Sequence, residues 1–343
     1  MSNFPYHQNL TLRNFTAFQE ASLEFSAGVN VFVGENGTGK THLMKAMYAV
    51  QLAVAQKSHI YFALSGLFQL RNPSVIMSNL SVLIRLGTGE YSASVEGYYG
   101  GQRWTYVLER NGDVKQGVPL PPMEIRPVFI PSIDMMGHTK GFTEAYEEVR
   151  LDFDTTCSDI VNLLRLERRN GTEQSRIVEK LSPILKGDIE RDDDGRFYLA
   201  TEKGRLPMPL VAEGVRKIAT LLQLYKNGWL APGATLFWDE PEVNLNPVLM
   251  DEVVGALLEL ARSGVQVFLA THSYVILKEL DLQAKASDGV RFFALEPTAE
   301  GTQVHPTDDF TLLSPNPVLD QYASLYDREL TRSTGRNRNG ERI

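Results

Sequence analysis

Residues 34–41 read Gly34-Glu35-Asn36-Gly37-Thr38-Gly39-Lys40-Thr41, a spacing of glycines, one lysine and one hydroxyl that suits the cradling of a phosphate chain. Glycines let the backbone curl until several N–H groups face one anion, and a helix beginning just after adds the positive end of its dipole. Lys40 is then placed to reach the β- and γ-phosphates, and the Thr41 hydroxyl to bind Mg2+. A second group stands in the C-terminal half, where the apolar run Ala234-Thr235-Leu236-Phe237-Trp238 ends in Asp239-Glu240-Pro241-Glu242. An acidic residue at the carboxyl end of a buried strand beside a phosphate loop is where Mg2+ is held, which assigns Asp239 to the metal. The adjacent Glu240 is suited to polarise the water that attacks the γ-phosphate, because metal and water need separate acceptors. One more apolar strand, Val265 to Ala270, ends in Thr271-His272-Ser273 and brings His272 to the same sheet edge, towards the γ-phosphate. Lys40, Glu240 and His272 are thus the expected catalytic groups, and Thr41 and Asp239 the expected metal ligands, of a nucleoside triphosphate site.

These residues need elements to hold them. Gly28 to Val33 is an apolar, β-branched run that reads as a buried strand, and His42 to Tyr48 has helical spacing, continuing as helix to about Leu70. Leu10 to Phe15 and Ala21 to Phe25 alternate as half-buried strands. Ser81 to Leu86, Tyr91 to Tyr98 and Arg103 to Glu109 alternate too, separated by Gly87-Thr88-Gly89, Gly100-Gly101 and Asn111-Gly112, which predicts an antiparallel meander. Pro119, Pro121 and Pro122 mark a linker, and Val128 to Pro131 a further core strand. Thr143 to Lys186 reads as two or three helices, with Asn170-Gly171 ending one and a basic stripe of Arg165, Arg168, Arg169 and Arg176 softened by Glu167 and Glu173. Asp192-Asp193-Asp194-Gly195 reads as a hairpin tip. Asp308-Asp309 reads as a loop cap. Pro317 to Leu330 is helical, with Leu319, Tyr322, Leu325 and Tyr326 expected to pack back on the core. Arg332 to Ile343, with Arg336, Arg338 and Arg342, reads as a disordered tail.

At 343 residues, with 22% charged and 43% hydrophobic residues, the chain has the composition of a soluble globular protein with a sizeable core. A net charge of −8 argues against a surface that coats nucleic acid. The single cysteine, Cys157, excludes an internal disulfide and fits a reducing compartment. Met1 to Leu10 lacks the layout of a signal peptide, and no apolar stretch approaches the roughly 18 residues of a membrane span, so a cytoplasmic location is expected.

In the order and spacing of Leu12-Arg13-Asn14-Phe15, the phosphate loop, Asp239-Glu240-Pro241-Glu242 with Leu245 and Pro247, and Thr271-His272-Ser273, the chain resembles the ABC-type ATPases. The branch is that of the structural-maintenance-of-chromosomes heads, the RecF recombination protein and the overcoming-lysogenisation-defect ATPases. It is most similar in character to standalone AAA family ATPases of bacterial anti-phage and toxin–antitoxin modules. The resemblance, over about residues 8–280, implies an α/β P-loop fold of the SMC-head type. That fold has a mixed core sheet, an antiparallel β subdomain and a helical subdomain, here without a coiled-coil arm since no long heptad run is present.

It also implies a single ATPase domain over residues 1–330. The meander falls at about 80–115, a helical insertion at about 143–200, the signature and Asp239 half at 205–300, a C-terminal helix at 315–331, and a tail at 332–343. ATP and Mg2+ are the implied cofactors. The implied nucleotide contacts are Gly34, Glu35, Asn36, Gly37, Thr38, Gly39, Lys40, Thr41 and His42, with Arg13 and Asn14 from the preceding strand. Val211 to Lys217 occupies the place of the family's signature segment, which clasps the γ-phosphate of a neighbouring subunit. Ala212 stands where that segment has serine, and Val215 and Arg216 replace its Gly-Gln. Glu213 and Gly214 would still present backbone N–H groups to the phosphate, with Arg216 or Lys217 adding charge. Asn244 to Asn246 would form the loop that crosses to the partner. Gln51 lies too early for a glutamine loop, leaving the Ile130 to Asp134 turn as the candidate.

Two functional readings follow. The first is an ATPase switch that closes as a head-to-tail homodimer and serves as the sensor or motor of an anti-phage or toxin–antitoxin system with a separate effector, a nuclease or toxin. The alternative is a DNA-maintenance ATPase of the RecF or SMC kind, against which the acidic balance and absent coiled coil weigh. The degenerate signature disfavours a transporter subunit, and the short stretch beyond His272 disfavours a nuclease.

Overall fold

The computed structural model describes residues 4–70, 79–87, 89, 91–148, 151–167 and 175–334. The chain opens with a strand pair, β1 (His7–Phe15) and β2 (Phe18–Glu24), and then enters the core as β3 (Val29–Gly34). Helix α1 (Lys40–Ala55) follows the phosphate loop and α2 (Ile60–Leu67) packs beside it. One helix was expected from Leu43 to about Leu70. The break at residues 56–59 has a local cause: Lys57 takes a left-handed φ of 51°, and the His59 side chain accepts the Tyr61 N–H to cap a fresh helix. Apolar periodicity runs straight across so short a break, which hides it from pattern reading.

Next come β4 (Ser92–Tyr99), β5 (Gln102–Glu109) and β6 (Val114–Val118), which extend the first pair into a five-stranded antiparallel sheet ordered β2-β1-β4-β5-β6. The expected meander is displaced by one strand. Residues 81–86 are not a regular strand: the Asn79 side chain accepts the Ser81 N–H and starts a 3-10 turn, Leu80–Leu83, after which Ile84 makes one bridge to Phe15. The third strand of the meander is instead β6, beyond Asn111-Gly112.

Strand β7 (Arg126–Ile130) returns to the core, and the helices α3 (Phe142–Glu148), α4 (Thr155–Leu164) and α5 (Arg176–Leu185) occupy the stretch expected to be helical. Arg168, Arg169, Gly171 and Glu173 lie outside the described residues. Arg165 is tied down by the Thr139 carbonyl and by Glu144 at 3.5 Å, so it does not form a solvated stripe. A small sheet of β8 (Asp188–Arg191), β9 (Phe197–Thr201) and β10 (Gly204–Pro207) follows, with Asp192–Gly195 at its first hairpin tip.

The remaining core elements are α6 (Glu213–Lys226), β11 (Ala234–Asp239), α7 (Met250–Arg262), β12 (Gln266–Ala270), α8 (Tyr274–Gln283), β13 (Arg291–Thr298) and β14 (Gly301–Thr307). The chain ends in α9 (Pro317–Thr334). Arg332 thus belongs to that helix, while residues 335–343 of the expected tail, with Arg336, Arg338 and Arg342, lie outside the described residues. Leu319, Tyr322, Leu325 and Tyr326 were expected to pack on the core, but they are 39%, 50%, 45% and 62% exposed; Tyr322 meets Tyr274 at 4.9 Å. Helical periodicity identifies an apolar face without saying what, if anything, covers it.

The central sheet runs β14-β13-β3-β12-β11-β7, parallel except for β14. Its alternation sets two cores. Val31, Val33, Leu236, Trp238, Val267 and Leu269 face the helices α4 to α7, while the opposite face meets α1 and the antiparallel sheet. On that second face Phe129, Phe237, Phe268, Phe32 and Phe293 form a row across neighbouring strands, with ring centroids 6.0, 5.1, 6.2 and 5.4 Å apart in turn. A side-chain period of two means that a one-residue slip would throw these rings to the other face, so the row locks strand register. Each ring pair adds about 0.5–1.5 kcal/mol beyond its burial. Register is what aligns the strand tips: Gly34, Asp239 and Ala270 finish at one edge of the sheet. Among the described residues no helix is long and apolar enough to cross a membrane.

Candidate active site

The loop between β3 and α1 is shaped by close approach. A Cβ on Gly34 would lie 2.6 Å from the Leu295 carbonyl oxygen, and one on Gly39 would lie 2.6 Å from the Phe18 ring, where φ is also +94°. Thr38 is buried and its hydroxyl donates to the Glu35 carbonyl at 2.9 Å, which braces the turn, while Glu35 and Asn36 stand exposed. Lys40 is 6% exposed, and its Nζ donates to the Gly34 and Glu35 carbonyls at 2.9 Å each. Burial pulls the Lys40 ammonium below its usual range, opposed by Glu240, Asp239 and Glu242.

Asp239 meets the loop from the next strand tip but one. The Thr41 hydroxyl lies 3.1 Å from Asp239 Oδ1 and 3.0 Å from Oδ2. Burial pushes the Asp239 carboxyl up to about 6, with the Thr41 hydrogen bond resisting. A carboxylate desolvated without full compensation calls for a cation, and hydroxyl plus carboxylate are the hard oxygen donors Mg2+ takes. Among the described residues no group of three or more His, Cys, Asp or Glu is arranged to hold a metal.

Glu240 follows Asp239 with a left-handed φ of 48°, uncommon for a residue with a side chain. Its N–H donates to the Ala270 carbonyl at 2.9 Å, and its Oε1 lies 3.7 Å from His272 Nε2. The His272 N–H in turn donates to Glu242 Oε1 at 2.6 Å. Partial burial, and then Lys40, holds the His272 imidazole below its usual range and so neutral at pH 7. Lys40, Thr41, Glu240 and His272 line one cleft of about 610 Å³ together with Asn36, Gly37, Gly39 and His42. His42 packs edge-on against Phe68 at 5.2 Å, and burial pushes its ring down to about 4.

Other expected contacts lie elsewhere. Arg13 points outward from β1 and pairs with Glu20 at 3.5 Å, and Asn14 gives its carbonyl to the Arg85 N–H at 2.7 Å; neither lines the cleft. The turn just beyond them supplies Thr16 and Ala17, and the segment Val82 to Leu86 completes that wall. The two pieces are joined by the Thr16 N–H to Leu83 carbonyl bond at 2.8 Å and by Arg85 Nη1 donating to the Ala17 carbonyl at 2.9 Å. Nothing in either segment has a phosphate-binding pattern, so pairing across the fold was the only signal. Glu213 and Gly214, expected to face a neighbouring subunit's nucleotide, begin α6; Gly214 packs against Asn244 and Leu245, where a Cβ would lie 2.8 Å from the Asn244 carbonyl oxygen. Arg216 and Lys217, expected to add charge towards a neighbouring nucleotide, both turn inward. Arg216 Nε lies 2.6 Å from Asp134 Oδ2, and Lys217 Nζ donates to the Glu240 carbonyl at 3.3 Å. Gln51, excluded as a loop residue, is buried against the Thr235 hydroxyl at 2.9 Å.

Parts of the chain are similar to known proteins. The family described as "AAA domain, putative AbiEii toxin, Type IV TA system" matches residues 142–278, and one described as "AAA domain" matches residues 9–50. The DNA replication and repair protein RecF of Bacillus velezensis is 46% identical over 109 residues, 32% of this chain and 22% of that protein. RecF of Listeria welshimeri is 48% identical over 52 residues, 15% of this chain and 13% of that protein. The chain thus spans less than a quarter of the length of these curated relatives. An SMC head solved with the C-winged helix domain of ScpA superposes with a TM-score of 0.55 at 15% identity, covering 88% of this chain and 97% of that one. The SMC head domain from Thermotoga maritima gives 0.50 at 15% identity, covering 88% and 99%. Identity that low speaks for the fold alone.

In fold, in its sequence matches and in its cleft the chain is similar to the ABC-type P-loop ATPases of the SMC and RecF branch. Among the described residues it has the head fold and no coiled-coil arm.

Proposed function

We propose that this protein is a Mg2+-dependent ATPase that works as a switch, closing and reopening as a head-to-tail homodimer in the cytoplasm. The observation that carries the reading is the convergence of Lys40, Thr41 with Asp239, and Glu240 with His272 at one sheet edge. In that arrangement Lys40 would neutralise the β- and γ-phosphates of a bound triphosphate, Thr41 and Asp239 would hold magnesium, and Glu240 would take or orient the proton of the attacking water. His272 stands beside it as a neutral donor to the γ-phosphate. Mg2+ supplies charge neutralisation on the transferring phosphoryl group.

The homodimer draws support from the surface around α6. Ile133, Leu210 and Val248 are 53%, 71% and 77% exposed, and they stand beside Asp134, the signature segment and the Asn244 to Asn246 loop. Three exposed apolar side chains around a segment thought to clasp a partner's phosphate fit an interface between copies. The description of the family over residues 142–278 names a putative toxin of a type IV toxin–antitoxin system, which favours a place in such a system or in anti-phage defence. Within it, the nucleotide cleft makes this chain the ATPase and sensor part, acting with a separate nuclease or toxin. Phosphate release from ATP tests the chemistry: we expect turnover with Mg2+ that stops when EDTA removes the metal. Release that is absent in both arms, or equal in both, defeats the reading.

The RecF matches favour one second reading, a DNA-binding maintenance ATPase. It requires duplex affinity that falls steeply with salt. With a net charge of −8 we expect a flat anisotropy titration at low salt, with or without ATP; a saturable, salt-sensitive rise would put this reading first.

A further inference from the structure

The first two turns of α6 carry two consecutive cations, Arg216 and Lys217, and they grip the segments that follow two neighbouring strands. Arg216 and Asp134 are nearly enclosed, with side chains 13% and 3% exposed, and the guanidinium also gives Nη1 to the Val211 carbonyl at 2.5 Å. Asp134 lies just beyond β7, and its carboxylate is aimed by the N–H groups of Met136 and Gly137, both at 3.3 Å. Lys217, 2% exposed, reaches past the helix to the backbone carbonyl of Glu240. That carbonyl also accepts the Val243 N–H at 3.2 Å, so two donors fix the carbonyl of Glu240, whose backbone is left-handed. Gly214 closes the contact, since its Cα lies so near Asn244 and Leu245 that a methyl group has no room. Helix start, Glu240 turn and β7 tip therefore cohere as one body.

We propose that Arg216 and Lys217 are positioning residues, a clamp through which the signature helix and Glu240 of the same subunit move together. The inference rests on the head-to-tail dimer proposed above. In such a dimer the signature of one subunit meets its partner's nucleotide, while Glu240 serves the nucleotide on its own phosphate loop. The clamp converts engagement at the first site into correct placement of Glu240 at the second. A buried ion pair and a buried ammonium suit this task, because a low-dielectric contact that lacks solvent to replace it resists partial displacement. A rigid element that touches both sites is the physical route such coupling needs, and the loss of cooperativity on breaking it is the measurement that reads it.

The experiment compares the full chain with Lys217→Met, Arg216→Asp and the swapped Asp134→Arg/Arg216→Asp protein. It reads mant-ATP affinity, ATP-dependent dimerisation by light scattering, kcat and the cooperativity of the ATP dependence. Lys217→Met is expected to bind mant-ATP within about twofold of the unaltered protein, while kcat falls about tenfold or more and cooperativity is lost. Arg216→Asp should do the same, and the swapped pair should recover most of the lost kcat. A structural role alone would lower stability without separating kcat from nucleotide affinity. Unchanged kcat and cooperativity in Lys217→Met, with ATP-dependent dimers in the unaltered protein, overturn the clamp and leave the proposed function standing. Failure of the unaltered protein to bind ATP or to dimerise overturns the proposed function instead. Should Lys217→Met not fold, the swapped pair decides, and no recovery there refutes the inference.

Discussion

Replacing Lys40 with alanine should remove measurable nucleotide binding while leaving the fold in place. Lys40 is the cation set against three carboxylates, Glu240, Asp239 and Glu242, all of which act to raise its pKa. Its Nζ already faces inward at 2.9 Å from two loop carbonyls, Gly34 and Glu35, so the ammonium also ties the loop to itself. Alanine removes the charge that attracts a triphosphate and leaves acidic groups that repel one. Truncating one partner of an enclosed charge contact costs about 2–5 kcal/mol, which weakens ATP binding by about 30-fold to several thousand-fold. Titration calorimetry with ATP and Mg2+ measures this, with the thermal transition as a control for folding. The Lys40 side chain touches only the end of β3 and the loop, and the apolar packing of the central sheet does not involve it, so Tm should move little. Affinity within about threefold of the unaltered protein would contradict the phosphate-loop assignment, since a charge contact of that kind cannot be worth so little.

Glu240→Gln should separate binding from turnover. The change is isosteric, and the interactions that hold residue 240 are made by its backbone, from the N–H to the Ala270 carbonyl and from Lys217 to its own carbonyl. Its side chain is 34% exposed and 3.7 Å from His272 Nε2, so an amide fits without repacking. What glutamine cannot do is accept a proton from the attacking water. Loss of a general base lowers the rate by about 10²–10⁴-fold. Slowed hydrolysis keeps ATP in both sites, and the head-to-tail dimer should accumulate, visible as a doubled mass by light scattering with ATP and Mg2+. A variant that stays monomeric under those conditions removes the closing-dimer mechanism, and one with unaltered kcat removes Glu240 from the chemistry.

Much of this site could be read along the chain because each motif joins chemistry to local structure. Gly34 to Thr41 must be a turn between strand and helix for its N–H groups to converge, and the apolar runs before Asp239 and His272 end where their polar residues begin. The walls of the cleft were harder. Arg13 and Asn14 were the expected contacts, but strand alternation turns Arg13 outward to Glu20, and the next turn contributes Thr16 and Ala17 instead. Ser81 to Leu86 looked like a strand because it alternates; the Asn79 cap makes its start a 3-10 turn, and the bond from the Thr16 N–H to the Leu83 carbonyl draws it to the cleft. The α9 face illustrates the same gap, as its period is helical whether or not another surface covers it.

Local sequence determined that this chain has a phosphate loop, a strand ending in Asp239-Glu240 and another ending in His272, because glycine geometry and apolar periodicity act over a few residues. Tertiary structure alone decided that Thr41 meets Asp239, that Glu242 holds the His272 backbone, and that Arg216 and Lys217 face inward to Asp134 and Glu240. The last case shows the physical reason. Any residue in the first two turns of an exposed helix can point its charge to solvent, and only the packing of those turns against the segments that follow two strands, with buried acceptors waiting there, makes the inward rotamers the favourable ones.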